Sequence, residues 1–481
     1  MQEAVRGLEP QSLWRYFSDI SSIPRESGNE AGMQAYLIAF AKEHNLEYIK
    51  DEAGNVIIRK GAAPGFESKP SVALQGHMDM VCVKDEGIVH DFSADPLILV
   101  RDGDILKAQG TTLGADNGIA VALMLALLSD KGAEHGPLEA IFTVEEETGL
   151  TGAFALRERD INSRLLLNLD SEDEGVFYIG CAGGIETRVI KKVQWQAPKQ
   201  HTKAFLLTAS GMQGGHSGAE IHKQRANAIK VAARLLAHLP SFSLFSAEGG
   251  TKRNVIPSTA KFGFVIDAKD EALVSDMLNE VQAELSGEYE VSDPDLMISA
   301  TEVAVPSKVV DEAESKAFIT ALYAAPHGVD AMSMSIVGIV ETSTNLAILS
   351  LDDEGFKVIA SHRSSILSSR DDVAKRFASI FSLIGSEVSF EGGYPSWKPN
   401  PKSKLTSFCT KAYEEYTGKE ATITAIHAGL ECGIINSRVP GMDSVSFGPK
   451  MWDAHSTKER VSISSVAWLE GFTRHLLKII E

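Results

Sequence analysis

Apolar positions recur in two rhythms along this chain. In AGMQAYLIAFAKEHN, Met33, Tyr36, Leu37 and Phe40 fall at the spacing of one helix face. Short apolar runs follow at NVIIR (55–59), SVALQ (71–75), LEAIFTV (138–144) and RLLLNL (164–169). Each has strand length, and several are bounded by Gly, Pro or Asp. Between them, Asn117 to Asp130 predicts a buried helix. Strands alternating with helices predict an α/β fold built on a mostly parallel sheet.

The rhythm changes after CAGG (181–184). Residues 186–391 carry longer amphipathic helices, at about 223–239, 269–285, 311–325 and 371–385. They also carry alternating strands such as KFGFVI (261–266) and AFLLTAS (204–210). This predicts a separate α+β domain. After EGGYPSWKPNP (391–401), a Gly/Pro-rich connector, the first style returns with a helix (402–417), strands TITAI (422–426) and DSVSFG (443–448), and a last helix (462–479). The expected organisation is one domain in two pieces, 1–185 and 392–481, with an α+β domain inserted at 186–391.

Composition narrows the function classes. The 481 residues are 44% hydrophobic and 23% charged, an ordinary globular balance. With 46 basic and 65 acidic residues the formal charge is −19, which argues against nucleic acid as a partner. Cys82, Cys181, Cys409 and Cys432 show no CxxC spacing, so neither a disulfide scaffold nor a cysteine zinc site is expected. The longest apolar run, Ile119 to Leu128, is ten residues, too short to span a bilayer. MQEAVRGLEP lacks the apolar run of a signal peptide, so the expected setting is cytoplasmic, with no membrane partner.

Five places with chemical potential stand at or just past strand ends, where open α/β sheets collect ligands. GHMDM holds His77 and Asp79, two residues apart and therefore on one side of extended chain. A metal-bound His often gives its second ring nitrogen to such a carboxylate. TTLGADNG puts Asp116 at the mouth of the apolar helix, between Gly114 and Gly118; taken alone, a plain helix cap is the better reading, while an exposed carboxylate there could also bridge two metals. FTVEEETG ends a strand on three acids, costly unless a cation compensates them, although a solvated turn is the bland alternative. Asp170 follows the strand of LLLNLDSEDEG, and His455 lies in the loop of FGPKMWDAHSTKERV. Singly these are weak. Jointly they supply imidazoles and carboxylates suited to zinc, manganese or cobalt. Two such ions about 3.5–4 Å apart can polarise a carbonyl and activate a water.

The ordered motifs GHMDM, TTLGADNG, EEETG, NLDSEDEG and GPKMWDAHS resemble the co-catalytic zinc carboxypeptidase/aminoacylase/dipeptidase family over essentially the whole chain. VHDFSADP, CAGGI, GGHSGAEIH, KRNVIP and AIHAGLECG resemble its dipeptidase branch. The resemblance implies a zinc-exopeptidase-like catalytic domain with an inserted lid and two divalent ions, zinc before manganese or cobalt. His77 and Asp170 would bind one ion, His455 and Glu147 the other, and Asp116 would bridge them. Glu146 would be the general base, Asp79 would orient His77, and Glu145 would be a spectator. The family pattern also implies a cis Asp116–Asn117 peptide.

From the inserted domain the resemblance makes His216 a donor to the oxyanion, Asn254 a substrate contact and Arg363 the clamp on the substrate's free carboxylate. The Gly429 region would line the same pocket, with His427 and Glu431 in packing or supporting roles. Residues 186–391 number 206, long for such a lid, and resemble a doubled version that mimics a dimer internally. His216 would then serve its own chain, while a homodimer stays compatible with the sequence. The implied reaction is hydrolysis of unblocked dipeptides, Xaa-His among them, by a water activated between the metals. A deacylase of N-acyl amino acids is the nearest rival, and a catalytically silent binding protein a more distant one.

Overall fold

The computed structural model describes residues 1–481. It divides into two compact units. One comprises Met1–Cys181, Trp397–Ala425 and Leu430–Glu481; the other comprises Ala182–Ser396 and Ile426–Gly429.

The first unit is built on an eight-stranded mixed sheet. Its centre is four parallel strands in the order Leu138–Thr143, Val72–His77, Leu165–Asn168 and Asp443–Ser446. Antiparallel pairings flank them. Leu138–Thr143 and Val72–His77 are buried at every position, which is why they appear in the sequence as apolar runs without alternation. Helix Ala115–Ser129 is buried at all but two positions and packs on helix Gln11–Ile20 and strand Val72–His77. An apolar surface all round needs cover all round.

Parallel register brings the chemistry to one edge. His77 lies opposite Thr143, Gln75 opposite Asn168, and Asn168 opposite Ser446. The loops that carry Asp79, Glu146–Glu147, Asp170 and the approach to His455 therefore leave the sheet at the same end.

The second unit holds a nine-stranded antiparallel sheet and is internally doubled. Strands Thr202–Ser210, Ser243–Gly249, Ala260–Asp267 and Met297–Val303, with helices Ala228–Ala237 and Glu271–Glu288, form a strand–helix–strand–strand–helix–strand half. Its strands lie fourth, first, third, second across the sheet. Gly183–Lys191, Val340–Asp352, Gly355–Ser364 and Glu387–Tyr394, with helices Glu312–Ala324 and Leu367–Ser382, repeat that order in the other half. The halves join edge to edge where Glu248 and Gly249 pair with Ser350 and Leu349. One apolar core runs through both, including Ile229, Leu235, Phe262 and Phe264 from one half and Phe318, Phe356, Phe377 and Phe381 from the other.

The α/β class with an inserted α+β domain is thus the observed one. Two expected boundaries move. The helix expected from about 223 begins at Ala228, because Asn227 caps it by accepting from the N–H groups of Ile229 and Lys230. The connector expected from 391 begins later: Glu391–Tyr394 still belong to a strand, with a bulge at Gly392 and Gly393 before Tyr394 pairs with Gly184. Gly392 takes a φ of 61° there. No helix is long and apolar enough to cross a membrane.

Candidate metal centre

Strand ends and one loop of the first unit bring all five expected ligands together. His77 Nε2 lies 3.0 Å from Asp116 Oδ1 and 3.4 Å from Asp170 Oδ1. His455 Nε2 lies 3.1 Å from Asp116 Oδ2 and 3.0 Å from Glu147 Oε2. The two oxygens of Asp116 therefore face two different imidazoles, the geometry of a bridging carboxylate. Donor atoms of His77, Asp116 and Asp170 fall within 4.8 Å of one another, as do those of Asp116, Glu147 and His455. The Asp116–Asn117 peptide is cis. Asn117 Nδ2 donates to the Leu169 carbonyl at 2.9 Å, tying this segment to the one that carries Asp170.

Asp79 does more than its spacing to His77 foretold. Its Oδ1 lies 3.3 Å from His77 Nδ1. The same carboxylate accepts the backbone N–H of Glu146 at 3.1 Å and of Glu147 at 3.2 Å, and the Ser27 hydroxyl at 2.7 Å. One buried acid thus sets the His77 imidazole and the turn bearing two further acids. Despite burial, these donors hold Asp79 down at about 2. Glu145 turns its backbone through a left-handed φ of 50° and donates its N–H to Glu30 at 3.1 Å. Ser27 and Glu30 had no distinguishing pattern in the sequence; only a fold that carries Ser22–Glu30 past the strand end reveals them.

The electrostatics favour cations here. Burial opposes a charge on His77, yet Asp170, Asp116 and Asp79 together raise it well above the usual histidine range. Hydrogen bonds to Asp116 and Glu147 push His455 up to about 11. Among the acids, burial and neighbouring carboxylates raise Glu146 well above its ordinary range and Asp170 to about 6. Glu172, unremarked in the sequence beyond its acidic run, is driven to about 7 by burial and by Asp116. Glu147 Oε1 is buried with no hydrogen-bond partner. A crowd of carboxylates with an orphaned oxygen, facing two imidazoles, fits divalent ions with a preference for nitrogen and oxygen donors.

Glu431 lies buried beneath the strand ends. It accepts from Gln75 Nε2 at 2.5 Å and Thr143 Oγ1 at 2.8 Å, and burial raises it to about 8.

The second unit gathers its own polar group. His216 Nδ1 accepts the backbone N–H groups of Gly218 at 3.2 Å and Ala219 at 3.0 Å. In the neutral ring this leaves the proton on Nε2, a donor. Burial, aided by the Arg363 charge, lowers the His216 pKa and keeps the ring neutral. Arg363 is buried; its Nη1 donates to the Tyr394 hydroxyl at 3.0 Å. Gly429 lies against the Tyr394 ring, where an added Cβ would stand 3.1 Å from Cε2. His427 Nε2 lies 2.7 Å from Ser343 Oγ, and burial lowers its pKa to about 3. Asn254 is exposed and accepts the Ser217 N–H through its backbone carbonyl at 2.8 Å. Tyr394 was not singled out in the sequence, because it sits in what appeared there as connector.

A chain with this fold and donor set is a member of a known peptidase class. The family described as Peptidase family M20/M25/M40 matches residues 73–481, and the chain belongs to it. It is 38% identical over 476 residues to the cytosol non-specific dipeptidase of Escherichia coli (strain K12), covering 98% of each chain. Aminoacylhistidine dipeptidase from Vibrio alginolyticus has a crystal structure that superposes with a TM-score of 0.93 at 38% identity, over 99% of this chain and 98% of that one. A tripeptidase from Staphylococcus aureus subsp. aureus Mu50 shares the fold at 18% identity, with a TM-score of 0.57 over 98% of both chains.

Proposed function

We propose that this protein is a two-metal dipeptidase, zinc being the first candidate ion, that cleaves short unblocked peptides including Xaa-His. The single observation that carries the reading is Asp116, whose two oxygens each face a separate histidine, each histidine beside a further acid. His77 and Asp170 would hold one ion, His455 and Glu147 the other, with Asp116 shared. When bound, such ions polarise the scissile carbonyl and lower the pKa of water.

The chain's own residues supply the remaining steps. Glu146 takes a proton from the attacking water and passes it to the leaving amine; a carboxyl already pushed above its ordinary range is suited to both acts. Asp79 orients His77 and fixes the backbone of Glu146 and Glu147. In the second unit, His216 presents a neutral Nε2–H suited to a developing oxyanion. Arg363, planar and buried, is suited to a free carboxylate, with Asn254 and Gly429 as further substrate contacts. A carboxylate clamp limits the substrate to short peptides. The likeness to a cytosol dipeptidase supports a cytosolic setting and a small-peptide substrate.

A panel of free dipeptides, Xaa-His included, beside N-acetylated single amino acids separates the dipeptidase from the deacylase. The protein is tested after chelation and again after zinc or manganese is restored. Metal-dependent cleavage of the free dipeptides is expected. Cleavage confined to the acylated amino acids would move the assignment to deacylase.

A further inference from the structure

Two buried charges of the first unit, Arg25 and Glu459, take no part in the donor set. Glu459 stands four residues beyond His455. Its carboxylate accepts four consecutive backbone N–H groups: Oε2 from Leu113 at 2.7 Å and Gly114 at 2.9 Å, Oε1 from Ala115 at 2.8 Å and Asp116 at 3.3 Å. Arg25 grips the same turn through its carbonyl side. Its Nη2 donates to the Gly114 carbonyl at 2.5 Å, and its Nη1 donates to the carbonyls of Met78 at 3.3 Å and Asp79 at 3.0 Å. Both side chains are 2% exposed. A buried charge is costly unless hydrogen bonds compensate it, and here Glu459 meets four backbone N–H groups and Arg25 three backbone carbonyls.

The glycines beside Asp116 acquire a reason. A Cβ on Gly114 or Gly118 would collide with Arg25 Nη2, and Gly114 has a φ of 65°. The small residues make room for a cation as well as for the turn.

We infer that Arg25 and Glu459 are positioning residues, a buried brace that holds the Leu113–Asp116 turn against the end of the strand that closes on His77 and the loop that follows through Asp79. The brace sets Asp116 so that each of its oxygens faces one imidazole. Glu459 also follows His455 in the same loop, so one carboxylate ties the bridging acid to the segment carrying the second histidine. This inference rests on the two-metal reading. It goes beyond that reading by assigning a role to two groups that touch neither metal nor substrate.

The test uses full-length protein and metal alone. Glu459→Gln keeps the shape but turns an N–H2 toward N–H donors. Arg25→Lys keeps the charge but loses the fork that spans three carbonyls. Zinc affinity is read by competition with a chromophoric chelator, and ligand geometry by the visible absorption of the cobalt-substituted protein. Wild type binding two ions per chain upholds the two-metal reading; fewer than two counts against that reading and not against the brace. Given two, each folded variant should bind at least one ion about 10–100-fold more weakly, with an altered cobalt spectrum. A folded variant with a lowered melting temperature but unchanged affinities and spectrum would show mere structural support and overturn the inference. Should Glu459→Gln not fold, Arg25→Lys decides by the same two outcomes.

Discussion

At the scale of single residues, neighbouring acids with near-identical local sequence receive different work. In EEETG, Glu145 bends the chain and meets Glu30 through its backbone, Glu147 faces His455, and Glu146 is left without an ion-pair partner. Its raised pKa comes from burial and from Asp170, Glu431 and Glu147 around it. Glu146→Gln keeps the volume and removes the proposed base. We expect kcat to fall by about 10²–10⁴-fold while two ions still bind. A kcat within tenfold of wild type, at full metal content, would place the base elsewhere. The five positions proposed as ligands drew notice in the sequence because each lies in a motif of acids or imidazole near a predicted strand end. The several contacts of Asp79, and Ser27 beneath it, were not, since hydrogen bonds to a backbone turn leave no pattern in residue type.

At the scale of elements, apolar rhythm located helices and strands well but misplaced some ends. Helix Ala228–Ala237 begins at a cap, which the rhythm does not register. Asn227 is also held from outside the helix: its Nδ2 donates to the Leu346 carbonyl at 2.8 Å. Asn227→Ala should therefore destabilise the second unit by about 1–2 kcal/mol, measured as a lowered urea midpoint. A change below about 0.3 kcal/mol would mean that neither bond matters. The connector was overestimated for the opposite reason. Gly and Pro signal a break, yet Gly392 and Gly393 here form a bulge that lets the strand continue to Tyr394.

At the scale of the whole molecule, the inserted unit is one topology used twice, with the first half placed between the first strand and first helix of the second. No sequence repeat announced this; strand order survives changes of residue that keep faces apolar. The doubled sheet buries His362 between Thr187 at 2.9 Å and Thr344 at 3.1 Å, and burial lowers its pKa from 6.5 to about 3. Between those values the unfolded chain holds a proton that the native chain does not. Stability gained from the neutral ring is thus present above pH 6.5 and lost as pH falls toward 3. The loss is about 1.4 kcal/mol per pH unit. His362→Gln should flatten the dependence of unfolding free energy on pH between 6.5 and 4 by about that slope, read from urea titrations. An unchanged slope would show that His362 is protonated in the folded state.

By itself, the order of apolar runs determined the class of fold, because burial demands continuous apolar strands, and the ordered motifs from GHMDM to GPKMWDAHS carried the resemblance to the family. Tertiary structure alone decided which atoms meet. Asp116 lies 39 residues from His77 and 339 from His455. The parallel sheet sets His77 at its edge, and antiparallel pairing of Arg460–Ser462 with Ile105–Ala108 and with Met451–Trp452 brings the segments bearing Asp116 and His455 together. The brace of Arg25 and Glu459 is wholly of this second kind. It consists of charges holding backbone N–H and C=O groups, which every residue possesses and no motif can mark.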